Sequence, residues 1–172
     1  MRNLVVTMSV LGLAWCSGCT SVAKRGLAEV RGASASIHSV QSLSPGTAKA
    51  ASSHKIAPVA MDGSGAGEFR AALQKALTTK FAEARSKGDI KAGSGGPLTI
   101  KTTVRFYSAK GAGKLMGGMA FAIVRVDVTD AKGQVVGKAD ALSSTKALRT
   151  GAEDLANAVA EKIIAWASSG KT

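Results

Sequence analysis

The chain predicts an α+β fold, an antiparallel or mixed sheet of about four to five strands with two amphipathic helices packed on one face. Two observations carry that prediction. Apolar residues recur at three- and four-residue spacing in residues 68–87 and again in 151–166, whereas residues 98–107, 119–129 and 134–142 alternate with a period of two. Helices with one apolar stripe and strands with one apolar side bury each other only in layers.

Taken in order, residues 19–35 mix Ser, Ala, Gly and charge without strong periodicity and read as a tether, with Lys24, Arg25 and Arg31 near its start. A first strand is expected over 37–43, ended by the Pro45-Gly46 turn. A second spans 55–61, with Ile56 and Val59 as anchors; Pro58 inside it lacks a ladder donor and marks an edge or a bulge. Asp62-Gly-Ser-Gly-Ala-Gly67 leads into the clearest helix, whose stripe is Phe69, Ala72, Leu73, Ala76, Leu77, Phe81 and Ala84. Gly88 suits its left-handed C-terminal cap. Burial of Phe69, Leu73, Leu77 and Phe81 is worth about 1.5–3 kcal/mol each, which makes this helix a core element.

Residues 89–92 are expected to form a short strand before a Gly-rich turn. In 98–107, Ile100, Thr102, Val104 and Phe106 are expected inward, and Lys101, Thr103, Arg105 and Tyr107 outward. In 119–129 one face is Ala120, Ala122, Val124, Val126 and Val128, while Met119, Phe121 and Ile123 make the opposite face apolar too. Asp130-Ala-Lys-Gly133 is a hairpin turn, after which Val135, Gly137, Ala139 and Ala141 point inward. Thr150-Gly-Ala-Glu153 reads as a capping box opening a last helix with Ala152, Leu155, Ala156, Val159, Ile163 and Trp166 on its buried stripe. The domain therefore covers residues 36–168, with a frayed end at 169–172.

This order of elements resembles the small α/β domain of the Tol translocation protein's amino-terminal part and of the curli-secretion lipoprotein. In those domains a strand like Ile56-Ala-Pro-Val59 passes through a glycine turn into a helix like residues 68–87. Gly111-Ala-Gly-Lys114 and the run Val126-Asp-Val-Thr-Asp-Ala-Lys-Gly-Gln-Val-Val136 are similar to uncharacterised proteobacterial lipoproteins of a domain-of-unknown-function class. That likeness covers residues 55–166 and implies an envelope lipoprotein, with no catalytic residue to carry across.

The amino terminus points the same way. Arg2 precedes a mostly apolar run from Leu4 to Trp15, and Ser17-Gly18 lead into Cys19, the layout of a secretory leader over residues 1–18. Twelve residues rise only about 18 Å as a helix, against a hydrocarbon core of about 30 Å, so a stable span is not expected. The small residues before Cys19 resemble a bacterial lipobox, although Cys16 stands where Leu is usual. Cleavage before Cys16 would place Trp15 in the small-residue pocket, so Cys19 is the expected lipidation site. Thr20 after it, in place of the Asp of inner-membrane retention, implies the outer membrane, periplasmic face.

The Cys16-x-x-Cys19 pair lies in the leader and lacks the strand–helix setting of a redox motif and the further ligands of a zinc site. The net charge is +12, and +11 once the leader is removed. In an exported protein this favours anionic lipid or polymer over nucleic acid. Gly111-Ala-Gly-Lys114 departs from a phosphate loop at Ser108 and Leu115 and is followed by no helix. His38 and His54 have no nearby carboxylate or cysteine and read as exposed strand-edge residues, and no nucleophile motif occurs. No enzyme, cofactor or metal is expected. The features that remain are the stripe Lys101, Arg105 and Tyr107 and the patch Met119, Phe121 and Ile123, which neighbouring strands would place on one free sheet face. Such a surface is either covered by the tether or solvent, or it meets an envelope protein or a second subunit. An alternative task is binding of an anionic envelope component such as lipopolysaccharide or peptidoglycan.

Overall fold

Val124, Val126 and Val128 recur at every second position behind Ala122, a spacing that puts four small or branched apolar side chains on one side of a pleated strand. The rest of the sheet assembles on that stripe. The computed structural model describes residues 32–62, 66–109, 119–145 and 151–171. In chain order it contains β1 (Ala33–Gln41), α1 (Pro45–Ala50), β2 (His54–Ile56), β3 (Ala60–Met61), α2 (Gly67–Ser86), β4 (Leu98–Ser108), β5 (Phe121–Thr129), β6 (Val135–Thr145) and α3 (Ala152–Ser169). Cys19 and the leader, Gly111-Ala-Gly-Lys114, Gly117-Gly118 and Thr150 lie outside the described residues.

The sheet has six strands, more than expected, in the order β1-β6-β5-β4-β2, with β3 also pairing β4. β1, β6, β5 and β4 are mutually antiparallel, and β2 and β3 run parallel to β4, so the sheet is mixed. The expected strand 55–61 is split at its proline: Pro58 separates two short pieces on the sheet's edge, as its missing donor requires. β1 begins at Ala33 and takes in three residues assigned to the tether. Residues 89–92 form bends and no strand, and residues 45–50 form a third, short helix after Pro45.

α2 and α3 lie side by side on one sheet face. Phe69, Leu73, Leu77 and Phe81 of α2 and Leu155, Val159, Ile163 and Trp166 of α3 are buried against Ile100, Val104, Val124, Val126 and Val128. Lys80 Nζ bonds Glu161 Oε1 at 2.7 Å across the helix pair. The capping of α3 differs from the expectation by one residue: Gly151 is the N-cap, and its N–H donates to Asp154 Oδ2 at 2.9 Å. Gly151 has no side chain to complete the reciprocal box. At the other end Gly170 takes a left-handed conformation with φ 68°.

Small residues let the layers approach. A Cβ on Gly137 of β6 would stand 2.9 Å from that of Leu43, which is fully buried, so glycine is the residue that fits there. Val135, expected inward, is 41% exposed because the β5–β6 register shifts there: Val128 faces Gly137 but Thr129 faces Val135, so Val136 is an extra residue that breaks the alternation. Trp166, expected on the stripe, is fully buried, and its Nε1–H donates to Ser39 Oγ at 3.0 Å, tying α3 to β1.

His54 corrects another expectation. It is 7% exposed, tilted against Phe81 at 5.9 Å between ring centroids, and neither ring nitrogen has a hydrogen-bond partner. Burial pushes its pKa below the ordinary 6.5, and the Arg85 charge lowers it further; the Ala167 carbonyl, too poorly placed to accept a full hydrogen bond from the ring, opposes this only in part. A lowered folded pKa means the neutral ring contributes its full stability above about pH 6.5 and loses it as the pH falls. The urea midpoint is therefore expected to drop as the pH falls below 6.5, and His54→Leu to flatten that slope; an equal slope in both proteins would contradict it.

Candidate interaction surface

The face of the sheet opposite the helices is covered by no described element. Its composition is decided by one irregularity in β4. From Thr99 to Val104 each residue faces its β5 partner in strict register, Thr103 opposite Arg125 and Val104 opposite Val124; beyond Arg105 the register shifts, and Phe106 faces Ile123 and Tyr107 faces Ala122. Arg105 is the extra residue of a β-bulge. A one-residue slip exchanges the two faces, so the alternation read from the sequence holds up to Val104 and inverts after it.

The inversion corrects two assignments. Tyr107 is not on the outer stripe: it packs on the helix side, stacked on Phe69 of α2 with centroids 5.0 Å apart and planes 7° from parallel. Burial raises the pKa of its hydroxyl, and the Glu68 carboxylate raises it further. Phe106 is not in the core. It is 49% exposed on the open face, 6.1 Å from the Phe121 ring. Sequence reasoning missed it because nothing in residues 98–108 signals a bulge by glycine or proline.

Around Phe106 the open face gathers Phe121 and Ile123 from β5 and Leu142 from β6, which lies directly opposite Ile123. Met119, just before β5, is 46% exposed. The structure thus places Phe121 and Ile123 beside Phe106 and Leu142 on this face.

The same face becomes charged towards the other end of the strands, but its charges are mostly matched. Arg125 and Asp140 are cross-strand neighbours joined by two hydrogen bonds, Nε to Oδ1 and Nη2 to Oδ2, the second at 3.0 Å. The hydrogen bonds that Arg125 donates to Asp140 raise the Arg125 pKa and keep the guanidinium charged. Lys138 Nζ stands 3.8 Å from Asp127 Oδ1. Arg105, at the bulge, pairs with Asp62. Lys101 is exposed, directly opposite Asp127.

A groove of about 610 Å³ runs elsewhere, between the Pro58–Val59 edge and α2, lined by Arg70, Gln74, Lys75 and Thr78. Its polar groups serve the fold: Gln74 Oε1 accepts from Val59 N–H at 2.7 Å, and Thr78 Oγ1 donates to the Gln74 carbonyl. Among the described residues no group of three His, Cys, Asp or Glu side chains is placed to hold a metal.

No family model and no curated protein sequence matches the chain. Among solved structures, the chain is similar to two PelC dodecamers from Paraburkholderia phytofirmans, one of them a substituted variant. The variant is 13% identical, with a TM-score of 0.49 over 78% of this chain and 99% of that one. The other is 14% identical, with a TM-score of 0.47 over 80% and 99%. A candidate lipoprotein from Caulobacter crescentus CB15 is 16% identical, with a TM-score of 0.39 over 66% and 87%.

The bulge predicts an inverted pair of mutational costs. Tyr107→Ala is expected to destabilise the domain by about 2 kcal/mol or more, by removing the ring that Phe69 stacks on. Phe106→Ser is expected to cost under about 1 kcal/mol. Chemical unfolding measures both, and unbroken alternation would reverse their order.

Proposed function

We propose that the protein is a non-catalytic lipoprotein, anchored through Cys19 to the outer membrane on its periplasmic face, and that it serves as a structural or assembly accessory by binding another envelope protein through its open sheet face. The observation that carries this reading is the cluster of Phe106, Phe121, Ile123 and Leu142 on a face that no described element covers. Phe106 is exposed and Phe121, Ile123 and Leu142 are half-buried around it; a contiguous apolar patch open to solvent marks contact sites more often than idle surface, and aromatic residues and Met are enriched in protein interfaces. Here the exposure is built in, because a bulge turns an aromatic ring outward that plain alternation would have buried.

The ion pairs sharpen the choice of partner. A surface made to hold an anionic polymer would keep its cations free, whereas Arg125, Lys138 and Arg105 each stand beside a carboxylate. An apolar centre with a rim of matched charge suits a protein surface better. The anchor rests on the leader and on Cys19. No helix of the described residues is long and apolar enough to cross a membrane.

Two outcomes are expected. A photo-crosslinker at Leu142 in living cells should give an adduct with a specific envelope protein, strongly diminished when Phe106→Ser and Phe121→Ser are combined; an adduct that ignores both changes would count against the open face. Separately, Cys19→Ala should accumulate unprocessed, unlipidated precursor, and undiminished fatty-acid labelling would remove the anchor.

A further inference from the structure

The sheet has two edges, and they are treated differently. One consists of β2 and β3, three and two residues long, interrupted at Pro58. Its backbone groups are partly taken by α2: Gln74 Oε1 accepts from Val59 N–H at 2.7 Å, and Arg85 Nη2 donates to the His54 carbonyl at 3.2 Å. Short strands, a proline and side-chain capping all blunt an edge against pairing with another chain. Lys55, exposed on β2, adds a charge.

The other edge is β1, and it has none of these guards. Its nine residues, Ala-Ser-Ala-Ser-Ile-His-Ser-Val-Gln, include no Lys, Arg, Asp, Glu or Pro in a chain that is 20% charged overall. β6 is its one strand partner among the described residues. Of the side-chain hydrogen bonds among the described residues, none reaches a β1 backbone group; Trp166 and His38 bond the Ser39 and Ser36 hydroxyls instead. The register with β6 is regular from Ala33 to Ser39 and shifts only between Ser39 and Gln41, which leaves seven residues of undistorted outer edge.

We infer that this edge pairs with the β1 of a second copy of the chain, antiparallel and about a two-fold axis, extending the sheet across the dimer. The midpoint of the regular stretch is Ser36. An antiparallel pair centred there sets Ala33 opposite Ser39, Ser34 opposite His38, Ala35 opposite Ile37, and Ser36 opposite itself. Every such pair is small or uncharged, so neither bulk nor like charge opposes it. Charge also selects this surface: copies carrying +12 each repel, and contact is cheapest where the chain has removed its charges. The inference is independent of the lipid anchor and of the open-face cluster.

The test is sedimentation of the full chain over a concentration series. The native protein is expected to be a dimer that dissociates on dilution. Ser36→Lys and Ser36→Asp each put like charges face to face at the axis, and each is expected to weaken the dimer at least about tenfold. Mixing the two variants is expected to restore it as a heterodimer. Ser36 is exposed on the open face, so both variants should keep the native circular dichroism spectrum. Phe106→Ser with Phe121→Ser should leave the dimer intact, which separates this edge from the partner-binding face. A native chain that stays monomeric overturns the inference. A dimer indifferent to both charges, or two folded variants that fail to recombine, overturns it equally.

Discussion

The extra residue at Arg105 decides which side chains of β4 lie inside the fold and which lie on its open face. Upstream of it, Ile100, Thr102 and Val104 lie under the helices; downstream, the same strand sends Tyr107 under and Phe106 out. Two contacts stabilise the inverted half. Tyr107 stacks on Phe69, a fully buried residue in the first turn of α2, and so fixes where that helix begins relative to the sheet. Arg105 itself pairs with Asp62, which follows β3 and bonds the Val104 carbonyl through its backbone N–H. The bulge, the start of α2 and the end of β3 are therefore one unit, and the apolar cluster on the open face is a consequence of it.

Away from the bulge the packing relies on smallness. α3 presents Ala152, Ala156, Ala160 and Ala167 beside its larger buried residues, and β6 answers with Gly137, Ala139 and Ala141. Close approach of backbones replaces aromatic bulk, which suits a chain that is only 4% aromatic. Trp166 is the exception that spans the gap, reaching from α3 to Ser39 on β1. An edge strand carried by one neighbour would be weakly held; this bond and the helix above it keep β1 in place while no described element pairs with its outer backbone.

Much of this was legible because periodicity reports burial wherever the ladder is regular. The stripe from Phe69 to Ala84, the valines of β5 and the alternation of Gly137, Ala139 and Ala141 all lie where their spacing puts them. The misreadings share a cause: each depends on something outside the local pattern. The parity of Phe106 and Tyr107 is set by a register shift against β5, and no residue in β4 announces it. His54 looks like an exposed edge residue until α2 and α3 close over it. The cap of α3 moved from Thr150 and Glu153 to Gly151 and Asp154, because adjacent acidic residues offer two equivalent reaches. β1 looked like tether at its start because Ala and Ser carry no apolar signal, although small residues are what lets α3 lie across it. Of the candidate surface, Phe121 and Ile123 were readable from the two-sided apolar character of β5; Phe106 and Leu142 needed the pairing to be seen.

Charge placement ties these surfaces together. Nothing in folding alone obliges a strongly basic chain to leave nine consecutive residues uncharged on an edge, or to cancel the cations of an uncovered face with Asp62, Asp127 and Asp140. Surface ion pairs contribute little to stability, typically under about 1 kcal/mol, so the pairing is better explained by what it permits than by what it holds. A face with its charges matched in place is desolvated at lower cost than one with free lysines. Among the described residues, further exposed basic side chains such as Lys55, Arg70 and Lys87 lie at the β2–β3 edge and along α2. Among the described residues the molecule therefore has a cationic side and two surfaces low in free charge, the apolar open face and the outer edge of β1.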